Sequence, residues 1–114
     1  MIEEYVTGSF MTVQGTKYHQ DLKIIRGKVK DNWWRKQGHR LHRDDISDVL
    51  SAGPEVLVIG TGYAGNMRVP QSLRTLLEDR NIEVIARKTS EAAETFNSLF
   101  TRGSNVAGAF HLTC

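Results

Sequence analysis

The run His111-Leu-Thr-Cys114 sets an imidazole and a thiol three residues apart, two groups that nucleophilic catalysis and transition-metal binding both use. A cysteine attacks as its thiolate, which a nearby cation or helix N-terminus favours, and it needs a base within hydrogen-bond reach. In an extended strand His111 and Thr113 point to one face while Leu112 and Cys114 point to the other, so the spacing predicts a poor pair. A base would have to come from elsewhere, and His39 or His42 can supply it. His39-Arg-Leu-His42 offers two nitrogens in a loop without a definite third ligand, and no recurrent Cys/His pattern accompanies it, so no metal site is assigned. The spacing singles out no Ser-His-Asp order and no carboxylate pair for acid–base work.

A second candidate is Gly60-Thr-Gly62-Tyr-Ala-Gly65, the GxGxxG spacing that cradles a dinucleotide pyrophosphate. In that fingerprint the third glycine sits in the opening turn of the helix, whereas here Asn66 to Val69 separate Gly65 from Pro70. The acidic residue expected after the next strand is replaced by Arg87-Lys88, and one such unit is too short for the paired halves that hold NAD. No cofactor is therefore expected. Gly60 and Gly62 can instead permit positive φ and close backbone approach where a strand leaves its sheet. Alternatively their N–H groups, with Arg68, Arg87, Lys88 and the start of a helix at Thr89-Ser90, form an anion pocket for phosphate or a carboxylate. The candidate ligand-binding set is thus Gly60, Thr61, Gly62, Arg68, Arg87, Lys88, Thr89, Ser90, His111 and Cys114. An α-carboxylate on Cys114 would compete for that pocket from within.

A third feature is the basic stretch 26–43, RGKVKDNWWRKQGHRLHR, with seven Lys or Arg against one Asp in a chain whose net charge is only +2. Basic residues interleaved with Trp33 and Trp34 could grip single-stranded nucleic acid. The simpler reading is a strand face whose lysine stems lie on apolar surface, so nucleic acid is the less favoured partner.

These groups must be positioned by one core. At 114 residues the chain fits a single domain, 1–114, and 39% hydrophobic with 25% charged residues describes a folded, soluble protein. The longest strictly aliphatic run, Val56 to Ile59, is far below a membrane span, and Met1-Ile-Glu-Glu lacks the character of a signal peptide. The lone cysteine permits no internal disulfide, which suits a reducing compartment. We expect a cytoplasmic protein that does not enter membranes.

Alternating apolar residues and turn glycines predict antiparallel strands near 8–14, 21–26 and 28–34. A short helix follows, with Ile46, Val49 and Leu50 buried, Asp44 or Asp45 as its N-cap and Gly53-Pro54 as its end. Glu55 to Ile59, apolar on both faces, reads as a central parallel strand. Val69-Pro70 opens a helix burying Leu73, Leu76 and Leu77, with proline at the first helical position. Ile82 to Ala86 is the next strand. Thr89 or Ser90 caps a third helix whose apolar face is Ala92, Ala93, Phe96, Leu99 and Phe100, and a last strand runs from Val106 to Thr113. Strand–helix–strand connections are right-handed and make neighbours parallel, so Gly60–Gly65, Arg87–Ser90 and His111–Cys114 should meet at one carboxyl edge, where α/β sheets bind ligands.

Several segments occur in the order of a known family: Trp34-Arg35, Gly38-His39, Val58-Ile-Gly-Thr-Gly62, Val69-Pro70, Thr89, Ala92-Ala93, Phe96-Asn97 and Val106 to Cys114. Over nearly its whole length the chain resembles the Mth938-like domain of unknown function. That domain is shared by archaeal and bacterial proteins, the animal adipogenesis-associated protein and the mitochondrial assembly factor of respiratory complex I. The HLTC ending is closer to the archaeal and adipogenesis-associated branch. The resemblance implies an α/β fold of three layers, a central mixed, mostly parallel sheet between helices with a small N-terminal antiparallel β-hairpin layer. It supplies no activity, so Gly60, Gly62, Thr89, Asn97, His111 and Cys114 carry over only as family features, and complex I assembly is not transferred.

The expected function is a non-enzymatic binding or assembly module that takes a protein partner or a small anion at the carboxyl edge. The alternatives are an enzyme using Cys114 or His111 in the same pocket, and nucleic-acid binding through residues 26–43.

Overall fold

Val56–Thr61 form a strand buried along its whole length, a pattern that requires cover on both faces of its sheet. The computed structural model describes residues 1–114 and supplies both covers. In chain order the strands are β1 (Ile2–Val6), β2 (Phe10–Val13), β3 (Thr16–Tyr18), β4 (Leu22–Ile25), β5 (Lys28–Lys30), β6 (Val56–Thr61), β7 (Glu83–Arg87) and β8 (Val106–His111). The helices are α1 (Ser47–Ala52), entered through a 3-10 turn at Arg43–Ile46, α2 (Gln71–Asp79) and α3 (Thr89–Thr101). Strands β1, β2 and β3 make a small antiparallel sheet, and the other five make the main sheet in the order β5-β4-β8-β6-β7. β6 runs parallel to β7 and β8, while β4 is antiparallel to both β8 and β5, so only β4 is reversed.

The period of two divides the apolar residues between two cores. Leu22, Ile24, Val56, Val58, Val106 and Phe110 face the layer built from α3 and the small sheet, where they meet Phe96, Ala92, Met11 and Val13. Ile25, Leu57, Ile59, Ala107 and Ala109 face the opposite layer, built from α1, α2 and the segment between β5 and α1, where they meet Ile46, Val49, Leu73, Leu77, Trp33 and Leu41. The expected three-layer α/β architecture is thus observed. His111 shares the strand face of Ala107 and Ala109, so it points toward the Trp33–Leu41 side.

Several boundaries differ from the expectation. β1 and β3 are additional strands, whose sequences Ile-Glu-Glu-Tyr-Val and Thr-Lys-Tyr show little alternation. β5 stops at Lys30 because Asn32 takes a positive φ of 56° and turns the chain out of the sheet. The N-cap of the 3-10 turn is His42 rather than an aspartate: Asp45 reaches back to accept from the His42 N–H at 2.7 Å. Pro70 occupies the N-cap of α2, one position before the first helical residue. Lys88 is the N-cap of α3, because the Thr89 hydroxyl is already engaged at the sheet edge. β8 ends at His111 instead of Thr113, and this changes the site.

Candidate functional site

The three predicted edge segments do meet, and they meet by hydrogen-bonding to one another. The buried Thr89 hydroxyl donates to the His111 carbonyl at 2.6 Å and accepts from the Gly62 N–H at 2.9 Å. The Thr89 N–H in turn donates to the Gly62 carbonyl at 3.1 Å. Thr61 Oγ1 donates to the Arg87 carbonyl at 3.0 Å. One hydroxyl therefore stitches β6, α3 and β8 together. Thr89→Val would leave a buried donor and a buried acceptor unpaired, and we expect a loss of about 2–3 kcal/mol in urea unfolding, largely restored by Thr89→Ser.

The glycine loop is occupied by the chain itself. Tyr63 N–H donates to the Thr113 carbonyl at 2.9 Å, Asn66 N–H to the Cys114 carbonyl at 3.0 Å, and Met67 N–H to the Thr61 carbonyl at 3.0 Å. Gly62 has a φ of 100°, and a Cβ on it would lie 2.5 Å from the Cys114 carbonyl carbon. Its role is to admit the 112–114 tail. Gly60 likewise packs closely, with a would-be Cβ 2.9 Å from Thr89 Oγ1. Arg68, Arg87, Lys88 and Ser90 are all exposed. The Arg87 guanidinium turns to its neighbour's carbonyl, that of Ala86, and Ser90 lines a separate depression with Ile2 and Asn97. The ten candidates are thus split: Gly60, Thr61, Gly62 and Thr89 form an internal joint, four lie outside it, and His111 and Cys114 belong to a different cluster.

That cluster begins with Asp21, which the sequence reading passed over. The antiparallel register Leu22↔Phe110 sets Asp21 opposite His111, where β4 starts and β8 ends. Asp21 Oδ2 lies 2.7 Å from His111 Nδ1 and 2.8 Å from Arg35 Nη1, and Oδ1 accepts from the Leu112 N–H at 2.7 Å. Burial opposes ionisation of this carboxyl, but the bonds from His111, Leu112 and Arg35 outweigh it and hold Asp21 below the ordinary carboxylate range. A carboxylate oxygen at 2.7 Å requires the proton on Nδ1, so the 3.0 Å approach of Arg35 Nη2 to the same nitrogen is a packing contact. Nη2 donates instead to the Gly38 carbonyl at 3.0 Å. The ring is fixed, and its Nε2 is buried without a partner.

The end of β8 at His111 frees residues 112–114 from strand geometry. Leu112 is held by Asp21 and by the Tyr5 hydroxyl, which donates to its carbonyl at 2.5 Å. Cys114 then curls back to His39, with Sγ 3.2 Å from Nε2. The expectation that His111 and Cys114 are a poor pair is corrected: one ring nitrogen each of His39 and His111 and the Cys114 sulfur lie within 4.8 Å of one another. The two imidazoles meet edge to face with centroids 5.7 Å apart. His42 takes no part, since it sits near Gln37 and in a depression beside α2.

His39 reaches this corner because Asp45 anchors its loop. The buried Asp45 carboxylate accepts from the backbone N–H groups of Lys36 and His42 at 3.2 and 2.7 Å, and its carbonyl accepts from the Trp33 indole at 2.9 Å. Arg68 N–H donates to the His39 carbonyl at 2.8 Å, pinning the loop to the far side of the glycine turn. Part of the basic stretch belongs to the same construction, with Trp33 buried and Arg35 paired with Asp21, while Lys36 pairs with Asp44 at the surface and Arg26, Lys28, Lys30, Arg40 and Arg43 are exposed. Trp34 is its large exposed aromatic, at 77%.

Behind the cluster opens a cavity of about 340 Å³, lined among others by His19, Asp21, Trp34, Arg35, His111 and Thr113. This volume lies within the range of small-molecule sites, about 300–1,000 Å³. Arg35 Nε, on a side chain only 4% exposed, is a second buried polar atom without a partner here.

Fold and site together define a three-layer α/β domain with a polar cluster and a cavity at the carboxyl end of a central strand. Residues 2–111 match the family described as "Protein of unknown function (DUF498/DUF598)", and the chain belongs to that family. The structure is similar to that of an outer membrane protein from Bartonella henselae, at 27% identity and a TM-score of 0.83, covering 99% of this chain and 94% of that one. It is equally similar to a conserved hypothetical protein from Pyrococcus horikoshii, at 25% identity and a TM-score of 0.83, covering 100% and 99%. A Mth938-like domain from Bordetella pertussis shares the fold at 23% identity and a TM-score of 0.68, covering 98% and 85%, in line with the Mth938-like resemblance. No helix of this chain is long and apolar enough to cross a membrane.

Proposed function

We propose that this domain is a binding module for a small anionic ligand, and that its site is the cavity behind Asp21 and Arg35 rather than the glycine loop. The observation that carries the reading is Arg35 Nε, a donor that is buried, unpaired and part of a cavity-lining side chain. A guanidinium cannot become an acceptor, so an acceptor oxygen brought into the cavity would answer it. Asp21 already neutralises one edge of Arg35, which limits the ligand to modest charge, a carboxylate or a phosphate ester. Trp34 at the surface offers a flat apolar face beside it. Binding is favoured over nucleophilic catalysis, because the amides that flank Cys114 and could stabilise an oxyanion are bonded to the tail itself. A site containing a reduced thiol suits a cytoplasmic domain.

Amide chemical-shift mapping with inorganic phosphate, short dicarboxylates and nucleoside monophosphates at millimolar concentration tests the reading. At least one ligand should move the amides of Asp21, Trp34, Arg35 and Thr113, and Trp34→Ala, at an exposed position, should weaken it several-fold. Silence at these amides across the panel would sink the proposal, and shifts centred on residues 60–65 would return the site to the glycine loop.

A further inference from the structure

We infer that His39, His111 and Cys114 form a binding site for a divalent transition metal of the zinc class, ligated by one nitrogen of each imidazole and by the Cys114 thiolate. The three ligand atoms already lie within 4.8 Å of one another, and the His39–Cys114 pair is at 3.2 Å. With Zn–N near 2.0 Å and Zn–S near 2.3 Å, ligands around one tetrahedral ion stand about 3.3–3.8 Å apart. Closing the remaining gap takes a shift of about 1 Å, shared between the exposed His39 and the half-buried Cys114 while His111 stays fixed.

His111 is what separates this cluster from three polar groups that merely lie close. Its residue is 5% exposed, its Nδ1 is bound to Asp21, and its Nε2 is buried with no partner. A histidine that hands one nitrogen to a carboxylate presents the other in a fixed direction, the arrangement that supports metal-bound imidazoles. An ion at Nε2 would also answer a polar atom that the fold otherwise leaves unpaired. The Arg35 cation stands on the Nδ1 side of the ring, its charge matched by Asp21.

The donor set decides the class of metal. Two imidazoles and one thiolate suit zinc, cobalt or copper and disfavour magnesium and calcium, and three protein ligands leave a fourth position open. The ligands come from β8, from the loop held by Asp45 and from the tail held by Asp21, Tyr63 and Asn66, so the site is assembled before any ion arrives. This inference does not rest on the cavity ligand, which would be held by Arg35 and Trp34.

The test uses the full chain, freed of metal by a chelator. Cobalt(II) titration should give one site with a thiolate-to-cobalt charge-transfer band, displaced stoichiometrically by zinc. Cys114→Ser should abolish the band, and His39→Gln should weaken binding at least tenfold. Asp21→Asn should weaken it about 10–100-fold if it remains folded. Zinc should also protect Cys114 from iodoacetamide in the native chain and not in H39Q. The absence of a charge-transfer band, or an H39Q protein that binds like the native chain, overturns the inference. Because the anion panel is read by amide shifts and the metal by the charge-transfer band and by H39Q, failure of either proposal leaves the other standing.

Discussion

Asp21→Asn should lower the unfolding free energy of the metal-free protein by about 3 kcal/mol at neutral pH, and the melting temperature by about 10–15 °C. The substitution preserves shape, so the loss comes from charge and hydrogen bonding. Asp21 serves three donors at once: Arg35 Nη1, His111 Nδ1 and the Leu112 N–H, at 2.8, 2.7 and 2.7 Å. The Arg35 side chain is 4% exposed, and removing its counter-charge strands a buried cation. An amide also presents only one acceptor oxygen, so at least one donor of the cluster loses its partner. Against a total stability of about 5–15 kcal/mol for a domain of this kind, this is a large share.

The pH dependence gives that prediction a sign. Asp21 is held below its ordinary value in the folded state, so its contribution is fully present above the unfolded carboxyl value of about 3.9. That contribution disappears as pH falls through the lower, folded value. The difference in stability between the native chain and D21N should therefore be large at pH 7 and shrink below about pH 4. Chemical denaturation at several pH values measures it. A difference that stays constant down to pH 2–3 would mean that the Asp21 charge contributes nothing.

The main sheet was legible because its strands follow local rules. Val56–Ile59 is apolar on both faces, Leu73, Leu76 and Leu77 keep a helical spacing, and Ala92, Ala93 and Phe96 keep another. The parallel edge followed from chain connectivity alone. β1 and β3 were not legible, since Ile2–Val6 carries two adjacent glutamates and Thr16–Tyr18 is three residues long; their strand character comes from pairing with β2. The ends of elements were misplaced where a side chain had a tertiary task. Thr89 looks like a cap, yet its hydroxyl joins Gly62 to His111.

The site was half legible for a related reason. Types and spacing drew attention to His39, His111 and Cys114, but strand alternation carried through residue 114 placed His111 and Cys114 on opposite faces. The bonds that pull Leu112 to Asp21 and Tyr5, and the Thr113 and Cys114 carbonyls to Tyr63 and Asn66, end the strand early. Asp21 and Arg35 carry no local signal, being an acidic residue before a strand and one arginine in a basic run. Their role depends on β4 pairing with β8 across about ninety residues of sequence, a register no short-range pattern encodes. GxGxxG misled in the opposite sense: its spacing fits a phosphate cradle, while its geometry fits a tail of the same chain.

Gly62→Ala should therefore be among the most damaging single-methyl changes in the molecule, with an expected loss of about 3 kcal/mol. The residue has a φ of 100°, which alanine rarely adopts, and the new Cβ would sit 2.5 Å from the Cys114 carbonyl carbon and oxygen and 2.6 Å from the Thr113 carbonyl oxygen. All three atoms are backbone, so no side chain can swing aside. Either the loop rotates and breaks the two bonds between Gly62 and Thr89, or residues 113–114 leave the loop and break those to Tyr63 and Asn66. The second route also separates Cys114 from His39. Gly103→Ala supplies the control, because Gly103 has a φ of 82° with no atom within 4 Å of its would-be Cβ, so it carries only the conformational penalty of about 1 kcal/mol. Urea unfolding of both variants, with the rate of Cys114 modification under native conditions, separates strain from steric expulsion. The Gly62 variant should be about 2 kcal/mol less stable than the Gly103 variant. Its thiol should react several-fold faster, whereas equal stability and equal thiol reactivity in the two variants would show that the tail is not held by the glycine loop.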